Sequence, residues 1–235
     1  MDKTSRLLWN HCLVGTRSAS SGVPDVSKVI AEVAKQILAP LGVKRKGRSR
    51  TWLDDHGWWL GIVEFQPSGW DAGSYLNVGP MFLWQPISHL VLEGRYRLDG
   101  FSPADDASSF RQAIQAKAAK AKDELTILRK RFASLRDVTR HYQGISTALS
   151  MSDHAHLGTA WGLLGEMERC RNALDSALVL REQQFSGLWR ASAWMLDARQ
   201  AAADERTFRT WTLTTLNATR AALKLPEPVK LPEAA

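Results

Sequence analysis

The 235 residues carry 44% hydrophobic and 23% charged side chains and a net charge of +7, ordinary for a globular chain long enough to bury a core. No apolar run approaches the ~18–20 residues a membrane span needs, and Cys12 and Cys170 are too few for a disulfide framework or a cysteine metal cluster. The charge is uneven, with ten Lys/Arg against four Asp/Glu in residues 1–54 and 21 against 20 in residues 55–235, so the basic excess belongs to the N-terminal part.

The first segment, 4–14, reads as a short helix whose apolar stretch is broken by Asn10 and His11. It does not read as a signal peptide, so a reduced cytoplasmic protein is expected. Residues 16–22 have linker composition. Asp25 or Ser27 then caps a helix in which Val26, Val29, Ile30, Val33, Ile37 and Leu38 recur at helical spacing, ending at Pro40 and Gly42. A first strand is expected over 44–54 and a second over 58–66, joined by the turn Asp55-His56-Gly57. The second strand is apolar on both faces, as for a central strand covered on both sides. A third strand over 74–79 is expected to break at Gly79-Pro80, and a fourth to span 89–98.

From Ala104 the period changes. Ala118, Ala121, Leu125, Leu128, Phe132, Leu135, Tyr142 and Leu149 follow alternating steps of four and three, with Thr139 filling one seam position. With no proline over 104–150, this predicts one long heptad-like helix, packed against the C-terminal helices or against a second copy. Residues 153–179 resemble one tetratricopeptide repeat, through Leu157, Gly158, Trp161, Gly165, Glu166, Met167, Leu174, Ala177 and Leu178. A generic helical hairpin explains the same small residues. Helices over about 182–202 and 204–223 and a proline-rich tail complete the chain. The fold class is thus α+β: a small antiparallel sheet with N-terminal helices over 1–100, a long helix over 101–150, a helical hairpin region over 151–225 and a tail over 226–235.

Residues 28–84 also resemble a bacterial family of unknown function. The likeness rests on Leu41-Gly42, the basic residues Lys44, Arg45, Lys46 and Arg48, Trp52, then Gln66 and Ser68, and finally Tyr75, Asn77 and Gly79. It implies a small α+β domain and no mechanism.

Four constellations could carry chemistry. In an extended strand Lys44, Lys46, Arg48, Arg50 and Trp52 share one face, where cations and an aromatic ring suit nucleic acid. The same residues suit an edge strand protected against pairing. Asp54 or Asp55 followed by Glu64-Phe65-Gln66 imitates a metal-dependent nuclease site with Gln in place of Lys. Nine residues of hairpin separate Asp55 from Glu64, which at ~3.3 Å each is too far to share an ion. Gln66, Ser68, Tyr75 and Asn77 line a small pocket or satisfy backbone groups in a bend. His154 and His156, two apart on a helix, do not share a face, so no metal site is read there. No Ser-His-Asp, Cys-His or glycine-rich phosphate-loop signature is present, and no cofactor is expected. The reading that follows is a non-catalytic module or accessory subunit that binds a protein partner, or itself, through Leu125, Leu128, Phe132 and Leu135. Nucleic-acid or polyanion binding through the basic strand is the alternative, and a metal-dependent nuclease comes last. No membrane association is expected.

Overall fold

Asp25 caps the first described helix as the sequence suggests, its side chain accepting from the Lys28 amide at 3.0 Å. In the computed structural model, which describes residues 25–93, 97–184 and 193–226, α1 runs Val26–Leu38. A single 3-10 turn follows and ends at Gly42, whose φ of +84° is a conformation glycine adopts without strain. The expected 4–14 helix, the 16–22 linker and the proline-rich tail past Pro226 lie outside the described residues.

Five strands form an antiparallel sheet in chain order: β1 Lys44–Arg45, β2 Thr51–Asp55, β3 Trp59–Glu64, β4 Gly73–Phe82 and β5 Arg97–Pro103. The molecule is α+β, as the change of period from two to between three and four implies. Register sets the two faces, because neighbours across a ladder point the same way. Gly61 pairs with Asp54 and with Pro80, and Trp59 pairs with Phe82. This face meets α2, Ala107–Arg131: a Cβ on Gly61 would lie 2.7 Å from Leu125 Cδ2, and the Trp59 and Phe132 rings meet edge to face at 5.6 Å. Leu60 and Ile62 on the other face are also buried, as expected of a central strand.

Several boundaries depart from expectation. The single strand over 44–54 is two short strands, β1 and β2, paired with each other. β4 continues through Pro80, because the Pro80 carbonyl accepts from the Glu93 amide at 3.1 Å on the side away from β3. The missing N–H therefore faces away from β3 and costs the β3–β4 ladder nothing. The fourth strand begins at Arg97, and residues 89–93 are not strand.

The long helix over 101–150 is also broken. α2 ends at Arg131 with Phe132 as its C-cap, and Ser134 restarts the chain as the N-cap of α3, Leu135–Gln143. Its hydroxyl accepts from the Asp137 amide at 3.2 Å and donates to the Asp137 carboxylate at 2.7 Å. The seam survives the break. Leu125, Leu128, Phe132 and Leu135 are all at most 2% exposed within the chain itself, so they are not a face open to a partner.

Residues 153–179 do form a hairpin, from α4 Met151–Leu163 and α5 Met167–Gln184. Gly158 lets the helices approach, since a Cβ there would stand 3.0 Å from Leu174 Cγ. α6 Trp194–Ala201 and α7 Glu205–Ala222 pack beyond it. One buried apolar cluster runs from Val29 to Leu223, so sheet and helices share a core. Among the described residues no helix is long and apolar enough to cross a membrane.

Candidate functional site: a basic cleft at the β1–β2 and β2–β3 turns

The basic run folds back on itself at Gly47, whose φ of +55° is the left-handed turn that glycine permits. The Lys46 amide donates to the Thr51 carbonyl at 2.9 Å, and Ser49 Oγ donates to the Lys46 carbonyl at 2.7 Å. Arg45 braces the turn from inside, reaching the carbonyls of Ser49 and Arg48 at 2.6 and 2.8 Å. The cations therefore fan around a turn and do not line a stripe, which relieves the repulsion a straight strand would impose. Arg50 leaves the group: its guanidinium donates to Ser27 Oγ at 3.0 and 3.2 Å, and burial lowers its pKa. Trp52 leaves it too. Its ring is 3% exposed in the core, so it is not a surface on which a base could stack.

The β2–β3 turn, Asp55-His56-Gly57, faces the same space. Asp54, 5% exposed, lies on the α2 side of the sheet, where Arg129 clamps it with two 2.8 Å bonds and His56 Nε2 adds a third at 2.8 Å. Burial alone would raise the Asp54 pKa, but the hydrogen bonds from His56 and Arg129 and their charge hold it below the ordinary carboxylate value. Asp55 is clamped likewise by Arg220 of α7 at 2.8 and 2.8 Å, and it accepts from the Gly57 amide at 2.9 Å. Its pKa is lowered despite burial. His56 stacks on Trp59 with ring centres 4.3 Å apart, which fixes the imidazole plane.

Between the 44–49 turn, the β2–β3 turn and the segment 222–226 lies a half-open cleft of about 1110 Å³. Its walls hold Lys44, Arg45, Lys46, Arg48, Arg129 and Lys224 against Asp54 and Asp55. Arg129 neutralises Asp54, and Arg220 neutralises Asp55. Lys44, Arg45, Lys46, Arg48 and Lys224 then have no carboxylate partner among the described residues. The sequence pointed to the basic run but not to His56, Arg129, Arg220 or Lys224. The glycine inside KRKGRSR was the local sign that the run turns.

The remaining expectations resolve differently. Asp55 pairs with Leu60 at one end of the β2–β3 ladder and Glu64 with Thr51 at the other, so the imitation nuclease site is not assembled. Among the described residues no group of three or more His, Cys, Asp or Glu could hold a metal ion. Gln66, Tyr75 and Asn77 do come together. Asn77 Nδ2 donates to Glu64 at 2.7 Å and to Gln66 Oε1 at 3.1 Å, while Arg97 donates to Gln66 at 2.8 Å and lies 4.1 Å above the Tyr75 ring. Ser68 stands apart, accepting from the amides of Trp70 and Asp71 in its own turn. Gln66 and Asn77 thus bond side chain to side chain, with Asn77 Oδ1 left without a partner among the described residues, and only Ser68 satisfies backbone groups in a turn. His156 is buried 2.7 Å from Glu93 and accepts from the Trp84 indole at 3.0 Å, while burial lowers the pKa of half-exposed His154.

No protein-family model matches the sequence, and comparison with curated proteins and with solved structures found no match. The likeness of residues 28–84 to a bacterial family gains no support from these comparisons, and the chemistry of the cleft carries the functional argument alone.

Proposed function

We propose that this protein is a non-catalytic binding module whose basic cleft takes the phosphates of a nucleic-acid strand or a similar polyanion. The observation that carries the reading is the group of five cations around one half-open space, without carboxylate partners among the described residues. Cations held at that density in a concave site focus potential and release counterions when phosphates enter. Recognition here runs through the backbone. Trp52 contributes to the core, and Arg50 holds α1 to the sheet. A cytoplasmic location belongs to the same reading, since nucleic acid abounds there and buried Cys170 is a free thiol.

The test is binding of a fluorescent single-stranded oligonucleotide across a salt series. Affinity should fall steeply with salt, and replacing Lys44, Lys46 and Arg48 together with Ala should lower the log–log slope by about 2, from ~0.7 for each single-strand phosphate released. Arg50→Ala should leave the slope unchanged. Absence of binding at low salt, or a triple variant with the slope of the unaltered protein, rules the cleft out.

A protein partner is the second reading, favoured by Trp70, 97% exposed at the tip of the β3–β4 connection. Such a partner would use surfaces other than Leu125, Leu128, Phe132 and Leu135.

A further inference from the structure

We infer that His56 is the proton-linked contact of this cleft, binding the anion through Nδ1 as an imidazolium, a proposal that rests on the cleft reading above. The argument starts from which ring nitrogen is free. Asp54 is an ionised carboxylate with no proton to give, so the 2.8 Å bond places a proton on His56 Nε2. Nδ1 is then the basic nitrogen of the neutral ring. The one side-chain hydrogen bond of His56 among the described residues is the one through Nε2, and the side chain is 29% exposed on the cleft wall. Stacking on Trp59 and the bond to Asp54 fix the ring, so protonating Nδ1 adds a donor without breaking the contact to Asp54.

The surrounding charges make this protonation depend on the ligand. Asp54 and Asp55 of β2 favour the imidazolium. Arg129 of α2 and Arg220 of α7 offset those carboxylates, while Lys224 and the cations of residues 44–48 oppose a further positive charge. An entering phosphate reverses that opposition, because its charge answers the lysines and arginines and attracts the proton to Nδ1. Histidine is the side chain that changes charge near neutrality. Binding therefore takes up a proton, and affinity falls as the pH rises.

The decisive experiment is titration calorimetry of the whole protein at low salt with a short oligothymidylate bearing hydroxyl ends. Its diesters hold a fixed charge and no group of its own titrates near neutrality. Running each titration in two buffers of different ionisation heat counts the protons. Net proton uptake is expected, with affinity falling as the pH rises, by at most about tenfold per pH unit for one proton. His56→Gln keeps an amide donor for Asp54, and it should bind with no proton uptake and a flat pH profile. Binding by the unaltered protein without proton uptake, or the same uptake in His56→Gln, overturns the role of His56 and leaves the cleft reading standing. No binding at either end of the pH range removes the cleft reading as well. His56 is the only histidine lining the cleft among the described residues, so the proton count of the unaltered protein decides the matter even if the variant fails to fold.

Discussion

Asp55 and Arg220 stand 165 positions apart, yet the guanidinium holds both carboxylate oxygens and also reaches the carbonyls of Gly57 and Pro226 at 2.8 and 3.1 Å. Arg220 is 3% exposed, so its charge depends on that one partner. Asp55→Ala should lower stability by about 3 kcal/mol, near the low end of the range for breaking a buried pair because Asp55 is itself 26% exposed. Denaturant titration measures it. The pH dependence follows from the direction of the shifts. Asp54 and Asp55 have pKa values lowered by folding, so their stabilisation is complete above the ordinary carboxyl range and is lost as pH falls through the folded-state values. The acid limb of the stability curve should flatten in Asp55→Ala, and an unchanged limb would show that the pair does not govern it. Neither arginine partner was legible in the sequence. An isolated Arg on a helix face reads as solvated until a distant turn is known to face it. Cys170, by contrast, behaves as its type suggests, buried and with its thiol pushed up to about 12.

At the level of elements, local signals were legible and long-range pairing was not. Asp25 as a cap, Gly42 as a stop and Asp55-His56-Gly57 as a turn all lie where short-range chemistry puts them. The heptad seam was also real, but its period could not tell which surface it meets. Its partners are α1 and the sheet, where Gly61 leaves space for Leu125. The break at Ser134 is written in the sequence as Ser-x-x-Asp, but the apolar spacing runs through it and masks it. Pro80 misled for a related reason: proline excludes a strand only where the ladder needs its N–H. The small residues of the α4 hairpin give the test at this scale. A Cβ on Gly162 would collide with the Phe208 ring, pressing α7 away from α4. Gly162→Ala should lower stability by roughly 2–3 kcal/mol, the cost of an overpacked core, whereas a neutral result would mean that α7 shifts freely. Calorimetric unfolding of the two proteins side by side distinguishes these outcomes.

Across the whole molecule the sheet and the helices are joined by polar bonds as well as by a common core. Trp84, just past β4, donates to His156 of α4. Gln85 offers its carbonyl to Thr219 of α7 at 2.6 Å and its amide to Glu93. Trp84→Phe keeps an aromatic ring but leaves His156 Nδ1 without its donor, which should cost about 1–3 kcal/mol. Because the core is shared, hydrogen exchange should report that loss equally in β3 and in α4. Protection reduced in one and not the other would mean that the two parts open separately. The rings around this junction have an optical consequence. Trp58 and Trp84 stack at 5.4 Å and 15°, and Trp194 and Trp211 at 6.5 Å and 10°. Indoles so close and so nearly parallel couple their electronic transitions. The near-ultraviolet dichroism of this chain should therefore be strong, with one chromophore pair beside the sheet and the other among the last helices, a built-in spectrum of tertiary order that vanishes when packing is lost even if helices persist.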